Sequence, residues 1–208
     1  MTNHINRHNP EARIVGITGG IGAGKSVVCR ILTLRGYRVY DCDSRARELM
    51  QCQSMAGAIA DIAGKEAFRS DGTLDRRYLA SCIFSDETLR LRVNEVVHEG
   101  VRNDIRKVAA ECAGETLFVE SAILATSGLH GMTSAIWLVD APTEVRVRRI
   151  LSRDPAASVD DALRRIEAQN AERGLLKGCD VRVIDNSGAM PLLPQIDRLL
   201  SALKDKET

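Results

Sequence analysis

The chain has 208 residues, of which 44% are hydrophobic and 27% are charged, and its formal net charge at pH 7 is +1. This length suffices for one well-buried core and is marginal for two independent domains. The near-zero charge excludes an overall basic field for nucleic acid or an acidic membrane, and the aromatic content of 3% argues against a base-stacking platform. We therefore expect neither nucleic acid nor a membrane as a partner.

Cysteine spacing and the start of the sequence indicate the compartment. The six cysteines include no C-x-x-C pair, so they match neither zinc-ligand spacing nor a compact disulfide framework and predict reduced thiols. Residues 1–12 are polar and lack the apolar segment of a signal peptide, and no apolar run is long enough to span a bilayer. These features predict a cytoplasmic protein with a disordered extension at 1–12.

Strand-like apolar runs alternate with helix-like periodicities along the chain. Buried strands are predicted at 13–18, 37–40, 117–120, 135–140 and 181–184, and helices at 25–35, 44–50, 143–153, 159–173 and 192–203. The pattern is also helical over 76–111, including a long amphipathic stretch at 86–112. Between these elements, 56–75 is polar and interrupted by three glycines. The alternation predicts an α/β fold with a mostly parallel sheet. We expect one domain over 13–205, with its core at 13–53, 113–153 and 181–205, a helical insertion at 54–112 and a lid at 154–180.

A glycine-rich segment follows the first predicted strand. Residues Gly19–Ser26 fit the pattern G-x-x-x-x-G-K-S/T and lead into the first predicted helix. Glycines let several N–H groups converge on one phosphate, and the helix N-terminus adds partial positive charge. Lys25 can reach the β- and γ-phosphates, and the Ser26 hydroxyl can ligate Mg²⁺. The segment predicts a nucleotide phosphate loop whose binding residues are Gly20, Ile21, Gly22, Ala23, Gly24, Lys25, Ser26 and Val27.

The loop alone does not distinguish a kinase from a GTPase or a motor. The sequence lacks an N-K-x-D motif, which GTPases use to read the base. The chain length, the helical insertion and a late arginine-bearing segment favour a small-metabolite kinase with lids. We therefore predict a three-layer P-loop NTPase fold that uses ATP and Mg²⁺.

Two aspartates follow the second predicted strand. A kinase that acts on a hydroxyl needs a carboxylate within hydrogen-bond reach of that hydroxyl, and ligands gather at the carboxyl ends of parallel strands. Asp43 is the predicted general base, with a metal-linked, orienting or substrate-binding role for Asp41. The alternative is that both merely cap the next helix. Arg47, one turn further on, suits acceptor phosphates, although it also fits a surface helix arginine.

Four later residues carry further site predictions. Arg149 and Arg153 share a helix face just before Pro155, where they could contact phosphate or adenine when a lid closes; the alternative is a solvated charged face. Asn186 could bind the adenine edge or be a plain turn residue. Glu120 ends a predicted strand, where a carboxylate can hold Mg²⁺ through water.

Several segments, in order, resemble dephospho-CoA kinases over about residues 13 to 200. The start resembles I-V-G-L-T-G-G-I-G, and later segments are similar to D-A-D-x-x-A-R, L-x-x-x-x-F-x-D…L-N-x-x-x-H-P-x-x-R, R-I-x-x-Q and V-I-D-N-S-G, in the stretches Ile14–Gly22, Tyr40–Arg47, Leu79–Arg102, Arg165–Gln169 and Val183–Gly188. Glu120–Gly128 stands where the family has D-V-P-L-L-F-E-x-G. The chain departs from the family at Val27, at Glu99 (for proline) and at Thr126 (for an acid), and it has no clear counterpart of an E-E-K segment around 173–177.

The resemblance implies phosphorylation of the ribose 3′-hydroxyl of dephospho-CoA by ATP, the last step of coenzyme A biosynthesis. We expect a monomer or weak homo-oligomer. The resemblance also places the catalytic aspartate at Asp43 and gives His98, Ile123 and Leu124 acceptor-binding roles. For His98, a packed or surface histidine is the alternative. Two other functions stay open: another small-molecule or nucleoside monophosphate kinase, and a nucleotide-binding regulator without catalysis.

Overall fold

The structure, a computed structural model, describes residues 12–204. The extension predicted at 1–12 therefore lies outside the described residues, apart from residue 12. Contacts divide the chain into two compact units: the larger contains the described residues up to Tyr40 and from Ala109 onward, and the smaller is Asp41–Val108. Across 12–204, no helix combines the length and the apolar character needed to cross a membrane.

The larger unit is built on a five-stranded sheet of order β2-β3-β1-β4-β5. The strands are β1 (Arg13–Thr18), β2 (Arg38–Asp41), β3 (Thr116–Glu120), β4 (Ala135–Asp140) and β5 (Val181–Asp185). β1 pairs in parallel with β3 and β4, and β4 pairs in parallel with β5. The near-continuous burial of β4 is typical of a strand covered on both faces. The predicted α/β fold with a mostly parallel sheet is confirmed.

Five described α-helices belong to the larger unit, and the first and last of them share an apolar cluster with the sheet. They are α1 (Lys25–Leu34), α6 (Thr143–Arg153), α7 (Val159–Glu167), α8 (Asn170–Leu175) and α9 (Leu192–Lys204). The core joins Val15 and Val28 to Ile196, so α1, α9 and β1 share one apolar cluster. Phe118 and Trp137, on strands either side of β1, have ring centroids 5.0 Å apart at 56°. This packing holds the carboxyl ends of β1, β3 and β4 in fixed register.

The smaller unit is helical. Its helices are α2 (Cys42–Leu49), α3 (Gln53–Ala63), α4 (Arg76–Ser85) and α5 (Glu87–Glu111), the last as far as Val108. Met55, Ile59, Leu79 and Val93 form its buried core. Gly57 does not interrupt α3, because burying Met55 and Ile59 outweighs the cost of a helical glycine, about 1 kcal/mol. The predicted helical insertion, 54–112, falls largely within this unit.

Candidate active site

The glycine-rich loop is shaped by its contact with α6. Gly22 has φ 77°, and a Cβ added there would lie 2.8 Å from the carbonyl oxygen of Arg146. Any side chain would therefore be strained twice, by conformation and by contact. Gly24, with φ 101°, precedes α1 and supplies no side-chain cap. The first N–H groups of α1 thus lack a capping side chain and suit an anion.

Lys25 lies between the start of the loop and β3. Its Nζ donates to the carbonyl of Gly19 at 2.9 Å and lies 3.6 Å from Glu120 Oε1. The two side chains are only 14% and 17% exposed, so their charges interact with little screening by solvent. An incoming phosphate would offer the ammonium a second anionic partner beside Glu120. The structure thus brings together two of the predicted site residues.

Ser26 and Glu120 supply the oxygen donors predicted for Mg²⁺. Ser26 is exposed in the first turn of α1, and Glu120 ends β3. Within residues 12–204, no group of three or more His, Cys, Asp or Glu side chains is arranged to hold a metal ion. Mg²⁺ in phosphoryl-transfer sites is bound by one or two protein oxygens together with phosphates and water. The hydroxyl and carboxylate therefore fit this metal. Val27, next along the loop, is 46% exposed.

Arg149 and Asn186 form a second wall of the loop. Arg149 Nη1 donates to the carbonyls of Gly22 and Ala23, each at 3.2 Å, and its Nη2 donates to the Asn186 carbonyl at 2.8 Å. Asn186 Nδ2 donates to the Ala23 carbonyl at 2.6 Å. Because the C=O and N–H of a trans peptide point in opposite directions, this turns the Gly24 N–H away from Arg149. Arg153 is exposed at the end of α6.

Asp41 and Asp43 have different environments in the smaller unit. Asp41 caps α2: its carboxylate accepts the Ser44 N–H at 3.0 Å and the Ser44 hydroxyl at 2.8 Å. The capping interpretation therefore holds for Asp41. Asp43 is exposed in the first turn of α2, and Arg47 is exposed one turn later. Both side chains are exposed, and Asp41 is the one whose carboxylate is engaged in capping α2.

His98 lies in α5 of the smaller unit and is half-buried. Burial lowers the pKa of His98, the charge of Arg102 acts in the same direction, and Glu95 opposes both. Arg102 is paired with Glu95 and with Glu99, each at 2.7 Å. The departure from proline at 99 thus provides an acidic partner for Arg102, whose own pKa is raised mainly by its hydrogen bond to Glu99.

The segment predicted to contact the acceptor has one exposed and one buried apolar residue. Ile123 is 39% exposed, whereas Leu124 is fully buried and packs against Gly16. In this conformation Ile123 is accessible to a ligand, whereas Leu124 is part of the protein core. The Thr126 N–H donates to both carboxylate oxygens of Glu172, at 3.0 and 3.2 Å. The family has an acidic residue at position 126, and in this chain the carboxylate next to that position is supplied by Glu172 of α8.

Several residues that contact the site were missed by the sequence interpretation. Gln169 accepts the Ile21 N–H, Arg146 donates to the Ile21 carbonyl, and Arg173 forms an ion pair with Asp140 at 2.8 Å. Gln169, Glu172 and Arg173 are spaced i, i+3 and i+4, which places them on one face where a helix continues. That spacing is the signal that could have been used. The helix predicted at 159–173 is instead two helices, α7 and α8.

Known proteins match nearly all of the described chain. A sequence profile described as Dephospho-CoA kinase matches residues 13–191. A dephospho-CoA kinase of Porphyromonas gingivalis is 36% identical over 193 residues, which is 92% of this chain and 95% of that relative.

Solved structures agree with this match. The crystal structure of a Thermus thermophilus protein is 33% identical, with a TM-score of 0.75 over 95% of this chain and 99% of that one. A dephospho-CoA kinase from Campylobacter jejuni, 18% identical, shares the fold with a TM-score of 0.67 over 94% and 98% of the two chains. The resemblance found in the sequence is confirmed, and the chain belongs to the dephospho-CoA kinase family.

Proposed function

We propose that this chain transfers the γ-phosphoryl group of ATP to the ribose 3′-hydroxyl of dephospho-CoA, which gives coenzyme A and ADP. The observation that carries the proposal is the phosphate loop, with Lys25 Nζ 2.9 Å from the Gly19 carbonyl and 3.6 Å from Glu120. It lies in a chain whose residues 13–191 match the family. Relatives named dephospho-CoA kinase cover more than nine-tenths of the chain at 34–36% identity.

The loop and Lys25 would stabilise charge during transfer. The N–H groups of the loop and of the first turn of α1 would hold the phosphates, since Gly24 leaves them without a side-chain cap. Lys25 would shift its ammonium from Glu120 toward the transferring phosphoryl oxygens. In a site closed to water, such a fixed positive group stabilises the transition state strongly. Arg149, Arg153 and Asn186 are the proposed further nucleotide contacts.

Asp43 is the proposed general base. It would accept the proton of the attacking hydroxyl as the new O–P bond forms and the bond between the γ-phosphorus and the β–γ bridging oxygen breaks. Asp43 is preferred to Asp41 because both carboxylate oxygens of Asp41 accept hydrogen bonds from Ser44. Moving Asp41 away would leave the first turn of α2 without its cap, at a cost of about 1 kcal/mol. An orienting role suits Asp41 better.

Mg²⁺ would be held by the Ser26 hydroxyl and, through water, by Glu120. When bound, the ion would neutralise part of the charge on the phosphates. For the acceptor, Arg47 is the proposed phosphate contact, with His98 and Ile123 as further contacts. The insertion at 54–112 is proposed to bind the acceptor and the segment at 154–180 to cover the nucleotide. The partner is then a small molecule, and the enzyme a cytoplasmic monomer or weak homo-oligomer.

The test is ADP release from Mg-ATP, measured with dephospho-CoA, with AMP, with CMP and without acceptor. The proposal requires that, of these acceptors, only dephospho-CoA stimulates ADP release. Turnover with AMP or CMP would favour a nucleoside monophosphate kinase. ATP binding with no stimulation by any acceptor would instead favour a regulator, and mass spectrometry of the product would check where the phosphate has been added.

A further inference from the structure

The backbone of Ile21 in the phosphate loop is held on both sides by residues outside the loop. Its carbonyl accepts a hydrogen bond from Arg146 Nε at 2.9 Å, and its N–H donates to Gln169 Oε1 at 2.5 Å. Arg146 lies in α6 and Gln169 immediately precedes α8. Two residues that are both far from the loop in the sequence thus hold adjacent peptide groups of the loop.

Arg146 is buried against the loop. It is only 9% exposed, and its guanidinium lies so close to Gly20 that a methyl group there would overlap with Nη2. Among the described residues, the buried Nη2 has no hydrogen-bond partner. Burial lowers the pKa of Arg146 and Asp140 opposes this shift, but a guanidinium stays charged in proteins. A buried positive charge therefore lies directly behind the loop.

Gln169 links the loop to the segment at 154–180. As an amide it accepts through Oε1 and keeps two N–H donors on Nε2. The Ile21 side chain also contacts this segment, since it packs against the cluster of Ile150, Ala162 and Ile166. The N–H, the carbonyl and the side chain of Ile21 are thus all held by α6 and by residues 154–180.

We propose that Arg146 and Gln169 are positioning residues of the phosphate loop, which fix the Ile21 peptide groups and thereby set the affinity for the nucleotide phosphates. A loop amide whose direction is fixed before binding costs less entropy to order when the phosphates arrive. The Ile21 N–H, already engaged by Gln169, then belongs to the support of the loop, and the phosphate-binding amides begin further along. The inference deepens the proposed function and rests on it for the activity readout only.

The test combines amide exchange with nucleotide binding. Hydrogen exchange of the ¹⁵N-labelled Ile21 amide reports the Gln169 contact directly, and calorimetry with ADP and with adenosine separates phosphate affinity from base affinity. The variants are Arg146→Met and Gln169→Met, which keep bulk and remove the hydrogen bond. Arg148→Met, on the exposed side of α6, and Gln53→Met, exposed in α3, are the matched controls.

We expect Gln169→Met to speed exchange of the Ile21 amide at least tenfold, and each of the two variants to weaken ADP binding about tenfold while adenosine binding stays within twofold. The double variant should lose less than the product of the two single losses, because both act on one residue. Gln169→Glu keeps the acceptor and should retain slow exchange, yet weaken ADP through its negative charge. KM for ATP should rise with KM for dephospho-CoA unchanged.

An ADP affinity within twofold of wild type in Gln169→Met, or unchanged Ile21 exchange in that variant, overturns the inference. If Arg146→Met does not fold, the measurements on Gln169→Met, at a half-buried position, are sufficient to test the inference. Neither binding nor exchange needs the acceptor. Loss of turnover with dephospho-CoA in wild type would therefore contradict the proposed function, while leaving the positioning role to be judged by ADP.

Discussion

Lys25 Nζ lies 3.6 Å from Glu120 Oε1, and each side chain is less than one-fifth exposed. The loop lysine is thus held by an acid of β3 and by the Gly19 carbonyl. Such a pair keeps the ammonium at the carboxyl ends of β1 and β3 while leaving it able to exchange one anionic partner for another.

Lys25→Met should lower kcat by about 100-fold or more, because a fixed charge on the transferring phosphoryl group is lost. The substitution also removes the positive charge beside the Glu120 carboxylate, so ATP affinity should fall through repulsion between that carboxylate and the phosphates. Steady-state kinetics and ADP calorimetry measure the two effects. Lys177→Met, at an exposed position, is the control, and equal kcat values for the two variants would remove Lys25 from the proposed mechanism.

Glu120→Gln should raise the Mg²⁺ concentration needed for half-maximal activity by about tenfold, because a neutral amide holds hydrated Mg²⁺ more weakly than a carboxylate does. The measurement is a Mg²⁺ titration of the initial rate at fixed ATP. Glu144→Gln, exposed in the first turn of α6, should behave as wild type. An unshifted Mg²⁺ curve in Glu120→Gln would mean that the carboxylate takes no part in holding Mg²⁺.

Gly22→Ala should destabilise the protein by about 1–3 kcal/mol, because it places a side chain at positive φ and 2.8 Å from the Arg146 carbonyl oxygen. The loop must shift from α6, so ADP binding should weaken as well. Urea unfolding and calorimetry check both. Gly36→Ala is the matched variant, since Gly36 also has a positive φ, 87°, but no atom lies within 4 Å of an added Cβ there; similar losses in the two would mean that the contact with α6 is unimportant.

His98 should make the stability depend on pH. Its pKa is lowered in the folded protein, so the unfolded chain binds the proton more readily, and stability should fall as the pH drops below about 6.5, the ordinary value for histidine. His98→Gln should lose less stability than wild type between pH 7.5 and 5.5 in urea unfolding. A parallel loss in both proteins would show that the environment of His98 does not disfavour its charged form.

Much of the fold follows from local sequence. β1, β3 and β4 lie within one residue of their predicted bounds, because continuous apolar runs are buried wherever a parallel sheet is covered on both faces. The helix predicted at 159–173 is wrong as one element: after Glu167 the chain leaves the helix, and Gln169 turns toward the loop. Periodicity reports burial on a face and gives no sign of a side chain drawn to a distant partner.

The residues of the candidate site also differ in how far the sequence predicts their position. Residues of the loop share one motif, so their joint position could be predicted. Gln169 stands at the end of the R-I-x-x-Q segment, so its presence near the site could be inferred. Its contact with Ile21, and that of Arg146, could not, since they join residues 148 and 125 positions apart in the sequence. A run of arginines in α6 suggests a solvated face, and the burial of one of them depends on where the loop glycines leave room.

The central claim is tested most directly by the rate of coenzyme A formation from Mg-ATP and dephospho-CoA in wild type, Asp43→Asn and Asp41→Asn. We expect Asp43→Asn to lower kcat by at least about 100-fold, the typical value of a general base, with its melting temperature unchanged. Asp41→Asn keeps one acceptor oxygen for Ser44, and its kcat should fall far less. Full activity in Asp43→Asn, or no coenzyme A from wild type, would contradict the account.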